Sequence, residues 1–241
     1  MIVTNILKIL FLFCYGSIFG YIFELFFRRY VSQKKWVNPG FLTGPYLPIY
    51  GFGVIIMYII TTITKSLIGD KLWGDVTAII LIGFFMTLIE YIGGIIFIKG
   101  MKIRLWDYSD RWGNIDGLIC PLFSLIWTVF GALYYFFMYP YMLGLTEWLV
   151  NNLAFSFVIG MIIGFMIIDA WNTMKISTKI REYAKEKNIV VKYENLKINI
   201  NKRKAEFKQK ITMFTPLRFI EGFQKELDSY KENEEHKSSE K

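Results

Sequence analysis

One histidine, two cysteines and six prolines are all that this 241-residue sequence holds of those residue types. The histidine, His236, lies in a polar end segment. The rest of the chain therefore has no imidazole to ligate zinc, complete a Ser-His-Asp triad or act as a general base. Cys14 and Cys120 sit far apart in apolar stretches, which excludes a disulfide scaffold and a CxxC metal site. The sequence has no GxxxxGK(S/T) phosphate loop, so ATP hydrolysis would have to come from a separate chain. It also lacks GxSxG, HExxH, EExxxR and paired DxxxD signatures. No metal, no cofactor and no intrinsic enzymatic activity are expected. A cleavable leader is not expected either, because Lys8 is the only basic residue ahead of a long apolar run and no small-residue cleavage site follows.

Apolar residues are abundant: 54% of the chain is hydrophobic and 18% aromatic. Charge is unevenly spread. Residues 1–173 carry 11 Lys/Arg against 9 Asp/Glu, and residues 174–241 carry 17 against 11, which together make the net +8. An apolar body followed by a basic tail is the profile of a polytopic membrane protein, and it excludes soluble, collagenous and disordered chains. The fold class expected is all-α: a membrane helix bundle of about five transmembrane helices with a cytoplasmic amphipathic tail. The transmembrane domain is 1–173, with spans about 5–27, 46–64, 76–98, 118–138 and 148–170. A basic helical tail follows over 174–231 and a disordered end over 232–241.

Orientation follows from the loops. The 28–40 loop has Arg28, Arg29, Lys34 and Lys35, and the 99–116 loop has Lys99, Lys102, Arg104 and Arg111. The 65–75 loop balances two lysines against two aspartates, and 139–147 has no basic residue. The positive-inside rule then puts the N-terminus outside and the tail in the cytoplasm of a cell-membrane protein. In the tail, Leu196, Ile200, Phe207, Ile211 and Phe214, then Leu217, Ile220, Phe223, Leu227 and Tyr230, make two apolar stripes broken at Pro216. Helices near 193–214 and 217–230 are expected. Their lysines and arginines suit anionic lipid headgroups. The tail's acidic residues argue against nucleic acid.

Within the spans, Gly16/Gly20 and Gly160/Gly164 have the spacing of packing faces. Segment 38–53, with Pro45, Pro48 and several glycines, does not favour a straight helix. Two readings stand: a re-entrant stretch at membrane depth, which must be buried or line a wet cavity, or a turn with Pro48 in the first turn of span two.

Ionisable residues inside a membrane are costly and point to function. Glu90 is the strongest case, being too deep to reach the surface easily. Glu24 has Arg28 four residues on, so an i,i+4 pair accounts for it adequately; Asp169 reads as an interfacial residue. The loop of Trp106, Asp107, Tyr108, Ser109, Asp110, Arg111 and Asn114 mixes carboxylates, a guanidinium and aromatics. Carboxylates suit a cation and Arg111 a phosphate, while aromatic anchoring and turn formation explain the same residues without a ligand. The candidate site comprises Glu24, Asn38, Gly40, Tyr50, Glu90 and those seven loop residues.

Gly20 with Glu24, the run Asn38-x-Gly40-Phe41-Leu42-x-Gly44-Pro45-x-x-Pro48-Ile49-Tyr50-Gly51, Glu90, Trp106-Asp107-Tyr108-Ser109 and Asn114-x-x-Gly117-x-Ile119-Cys120 resemble the ABC-transporter type IV family, the CmpB-like permeases. The resemblance covers roughly 11–135. It implies a transport protein that works with a separate ATPase subunit, and five spans suggest partners or a homodimer. The alternatives are a membrane enzyme acting on lipid headgroups and a noncatalytic scaffold or regulator with a cytoplasmic partner.

Overall fold

The computed structural model describes residues 2–32, 34, 36, 38–69, 72–186 and 190–193. The expected tail helices and the disordered end lie outside these residues, apart from Tyr193. Helix α1 (Ile2–Phe27) runs into a π turn, Arg28–Ser32. Helix α2 is Pro48–Leu67. Helix α3 (Leu72–Ile95) ends in a π turn, Ile96–Met101, and leads to β1, Ile103–Arg104. Helix α4 (Pro121–Leu133), a π turn (Tyr134–Met138) and α5 (Tyr139–Asn151) are continuous. Helix α6 (Ser156–Glu186) is followed by β2, Val191–Lys192.

Five helical stretches among the described residues are long and apolar enough to cross a membrane: Ile2–Val31, Pro48–Leu67, Leu72–Met101, Pro121–Asn151 and Leu153–Glu186. Each holds the 20 or so apolar residues that about 30 Å of hydrocarbon requires. The protein is a membrane-embedded helical bundle. Its large apolar side chains point outward in number, Phe84, Phe157 and Phe165 among them, as lipid-facing side chains do.

One connection differs from the sequence reading. Residues 139–147, expected as a loop, are helical. Pro140 stands in the first turn of α5, where a missing N–H costs little, and the π turn just before it absorbs the ring. Met142, Thr146 and Leu149 face inward from α5. Met142 packs with Leu12, and Leu149 with Cys14.

Helices do not pack in a bilayer by expelling water; small residues let their backbones approach. Gly16 faces Val54, and Gly20 faces Tyr50 so closely that a Cβ there would overlap the Tyr50 side chain. The α1–α2 seam is thereby fixed with Tyr50 turned toward the Glu24 end of α1. The second glycine pair behaves otherwise: Gly160 and Gly164 have no atom within 4 Å of a Cβ position, so they are not a packing face within the described residues.

Candidate functional site

The chain from Asn38 to Leu47 is not helical, yet Leu42, Tyr46 and Leu47 are buried. Leu42 and Tyr46 pack with Met166 of α6, and Phe13 and Ile18 of α1 lie against them. Irregular backbone in such surroundings needs partners for its amides and carbonyls, and here it has them. The Asn38 amide donates to the carbonyls of Leu42 (3.3 Å) and Thr43 (2.9 Å), and its Oδ1 accepts from Gly40 N at 2.8 Å. Leu47 N donates to the carbonyl of Ser17 on α1 at 2.8 Å. Asp169 of α6 accepts from Gly44 N (2.8 Å), Tyr46 Oη (2.7 Å) and, more loosely, Thr43 N (3.3 Å). Burial first, then the Asp169 hydrogen bond and charge, push the Tyr46 phenol well above its ordinary value.

Loop 106–117 is organised around Asp107. Its Oδ1 accepts from Ser109 Oγ (2.6 Å), Ser109 N (3.2 Å) and Arg104 Nη1 (2.8 Å), and its Oδ2 pairs with Lys192 Nζ at 3.0 Å. Burial raises the cost of its charge, but the Ser109 hydroxyl, Lys192, the Ser109 amide and Arg104 outweigh that and hold the carboxyl well below the usual carboxylate range. The Asn114 amide donates to the carbonyls of Ser109 and Arg111, and its Oδ1 accepts from Gly117 N. Gly117 has φ +66°, and a Cβ there would meet Ser109, Arg104 and Asp107; only glycine fits both demands. Trp106 Nε1 donates to the Leu118 carbonyl at 2.9 Å.

Glu90 meets the 106–117 loop through Tyr108, and Glu24 meets α2 through Tyr50. Glu24 Oε1 accepts from Arg28 Nε at 2.9 Å, and Oε2 from Tyr50 Oη at 2.8 Å. Glu90 is 7% exposed. Its Oε1 accepts from Tyr108 Oη at 2.9 Å and its Oε2 from Trp127 Nε1 at 3.1 Å. The Tyr108 ring stacks on Phe123, centroids 4.3 Å apart, and Tyr50 meets Trp127 edge-on at 6.0 Å. Burial first, then the charge and hydrogen bond of Glu90 and the charge of Glu24, push the Tyr108 phenol well above its ordinary value. Five side chains from α1, α2, α3, the 106–117 loop and α4 thus form one polar–aromatic cluster. Its two carboxylates, with Arg28 of the π turn paired to Glu24 at its edge, make a set suited to cations and to polar groups that donate hydrogen bonds.

Of the sequence-predicted residues, Glu24, Tyr50, Glu90 and Tyr108 come together. Asn38 and Gly40 shape the 38–47 segment. Asp107, Ser109 and Asn114 lock the second loop, and Trp106 pins it to Leu118. Asp110 and Arg111 are exposed at its tip, where the Arg111 amide closes a turn on the Tyr108 carbonyl. Sequence reasoning missed Trp127, which lies in an uncharged apolar span like any core aromatic. It also undervalued Asp169, and no signal marked Lys192 as a partner of Asp107. Among the described residues no group of three or more His, Cys, Asp or Glu side chains is placed to hold a metal ion.

No curated protein and no solved structure matches this chain. A family model described as "Putative ABC-transporter type IV" matches residues 11–174. That stretch runs from within α1 to within α6 and takes in both organised loops, and this chain is a member of that family.

Proposed function

We propose that this chain is the membrane-embedded, permease-like component of a transporter, that a separate ATPase subunit energises it, and that the cluster of Glu24, Tyr50, Glu90, Tyr108 and Trp127 is its polar site on the cytoplasmic side. Family membership supports transport as the activity. The observation that carries the site is Glu90: a 7% exposed carboxylate on a membrane-spanning helix, with a tyrosine and an indole as its hydrogen-bond partners. A chain rarely keeps such a residue for stability, because apolar packing of the same volume costs less. The 106–117 loop enters it through Tyr108, and Tyr50 enters it from the start of α2, just after the 38–47 segment. The N-terminus lies outside and the tail inside, as the basic loops require.

The test is purification of the full chain in mild detergent, then reconstitution. A copurifying ATPase, together with loss of transport in Glu90→Gln while the complex stays intact, is the expected result. Lipid turnover by the chain alone, or an associated partner with no nucleotide hydrolysis, would replace this reading with a lipid-headgroup enzyme or a scaffold.

A further inference from the structure

Three features lie outside the proposed site. The apolar groove between α2 and α3, lined by Ile56, Ile60, Leu81 and Phe85, has nothing to identify an occupant beyond lipid. The Lys65, Asp75 and Tyr135 group satisfies itself. The third is the short chain at 190–193, which ties both organised loops to the end of α6.

β2 lies parallel to β1, with Ile103 opposite Val191 and Arg104 opposite Lys192. Val191 N donates to the Lys102 carbonyl at 3.0 Å. Val191 is fully buried with Ile103, Ile180 and Ala184 in a small apolar core, and Phe41 and Tyr193 pack on it. Lys192 reaches Asp107, the hub of the 106–117 loop, at 3.0 Å. Tyr193 Oη donates to the Phe41 carbonyl at 3.3 Å, and the two rings lie 5.4 Å apart. Burial first, then the Asp169 charge, push the Tyr193 phenol up to about 12, so Asp169 acts on both Tyr46 and Tyr193. Three consecutive residues, Val191 to Tyr193, therefore reach both loops, and one of those loops carries the Tyr108 hydroxyl bound to Glu90.

We propose that residues 191–193 are a strap that ties the 38–47 segment to the 106–117 loop and so holds Tyr108 of that loop on Glu90, and that release of the strap frees both loops and opens the Glu90 end of the cluster. Two residues of strand pairing are a weak ladder; the buried Val191 side chain, the Lys192–Asp107 pair and the Tyr193–Phe41 contact add to the hold. Such an element detaches far more readily than the helices beneath it. This regulatory role rests on the permease reading, but the strap itself is tested without transport.

The experiment is amide hydrogen exchange on the full chain in lipid nanodiscs, following residues 38–47, 106–117 and, as reference, 51–64. Val191→Asp places a charge in the small core. It should speed exchange in both loops by about tenfold or more and leave the reference unchanged. Val190→Asp carries the same charge one residue away, at a side chain 41% exposed, and should change neither loop. Loops unaffected by Val191→Asp, or equally affected by Val190→Asp, overturn the strap. If Val191→Asp also loosens the reference, the double variant Lys192→Ala/Tyr193→Phe decides, since it removes the Lys192–Asp107 pair and the Tyr193 hydroxyl while leaving Val191 in its core. It should still quicken exchange in the loops, and no change overturns the proposal. Failure of Glu90→Gln to affect transport would overturn the permease site and leave the exchange result standing.

Discussion

The Tyr108 hydroxyl donates to Oε1 of Glu90 at 2.9 Å, joining a loop between two spans to a carboxylate buried within one of them. Trp127 donates to the other oxygen at 3.1 Å. The three residues depend on one another: a buried acceptor that loses its donor bears a desolvation cost of about 1–3 kcal/mol.

Trp127→Phe and Tyr108→Phe should each lower stability by about that amount, read as the shift in detergent-induced or thermal unfolding. Glu90→Gln keeps the shape and should change stability less, since its oxygen still accepts from one donor. Transport should be lost in Glu90→Gln regardless. If Glu90→Gln kept full transport and merely destabilised the chain, Glu90 would be a structural group.

Asp169→Ala removes the acceptor shared by Gly44 N, Tyr46 Oη and Thr43 N. Tyr46 is the buried donor of the three, and a buried donor left unpaired costs about 1–3 kcal/mol, so this variant should lose about that much and expose the 38–47 segment to protease. Asp169→Asn retains one acceptor oxygen and should fall between the two. A protease pattern unchanged in Asp169→Ala would show that Asn38 and the Ser17 carbonyl hold the segment without it.

Much of this fold is legible in the sequence because a bilayer sets the length of an apolar run. Five runs give five spans. Glu90 stands out for the same reason, as a charge where water is absent. The 38–47 segment is legible as irregular through its prolines and glycines, but its burial is not, because that depends on Asp169 from a span 125 residues on. Asp169 itself lies where span ends ordinarily carry interfacial charges. Trp127 is one aromatic in an apolar helix, with no pattern to show that its N–H faces a carboxylate. The α4–α5 continuity is hidden by Pro140 and Gly144, which read as a loop until the preceding π turn is seen. Two-residue strands such as β1 and β2 have no period to detect.

Orientation can be checked by single cysteines at two exposed positions, Asp110 and Glu147. Cys14 and Cys120 are buried and should label poorly. An impermeant maleimide added to intact cells should modify residue 147 and spare residue 110 until the membrane is opened. The opposite pattern would reverse the positive-inside assignment.

Asp107 makes a prediction about pH. Its carboxyl is held below the usual range in the folded chain by Ser109, Lys192 and Arg104, against the cost of burial. A depressed folded value means the contribution of this carboxylate is fully present above its unfolded value, about 4. That contribution is lost only as pH falls through the lower folded value. Exchange protection of the 106–117 loop should therefore stay flat from neutral pH down to that of an ordinary carboxylate, and decline below it. Asp107→Asn cannot take part in this titration. Its loop should be less protected at neutral pH, and the difference from the natural chain should shrink as acid protonates Asp107. Ser109→Ala removes one stabilising donor and should move the decline to higher pH without abolishing it. A loop whose protection in the natural chain and in Asp107→Asn falls together on acidification would show that Asp107 is not what locks it.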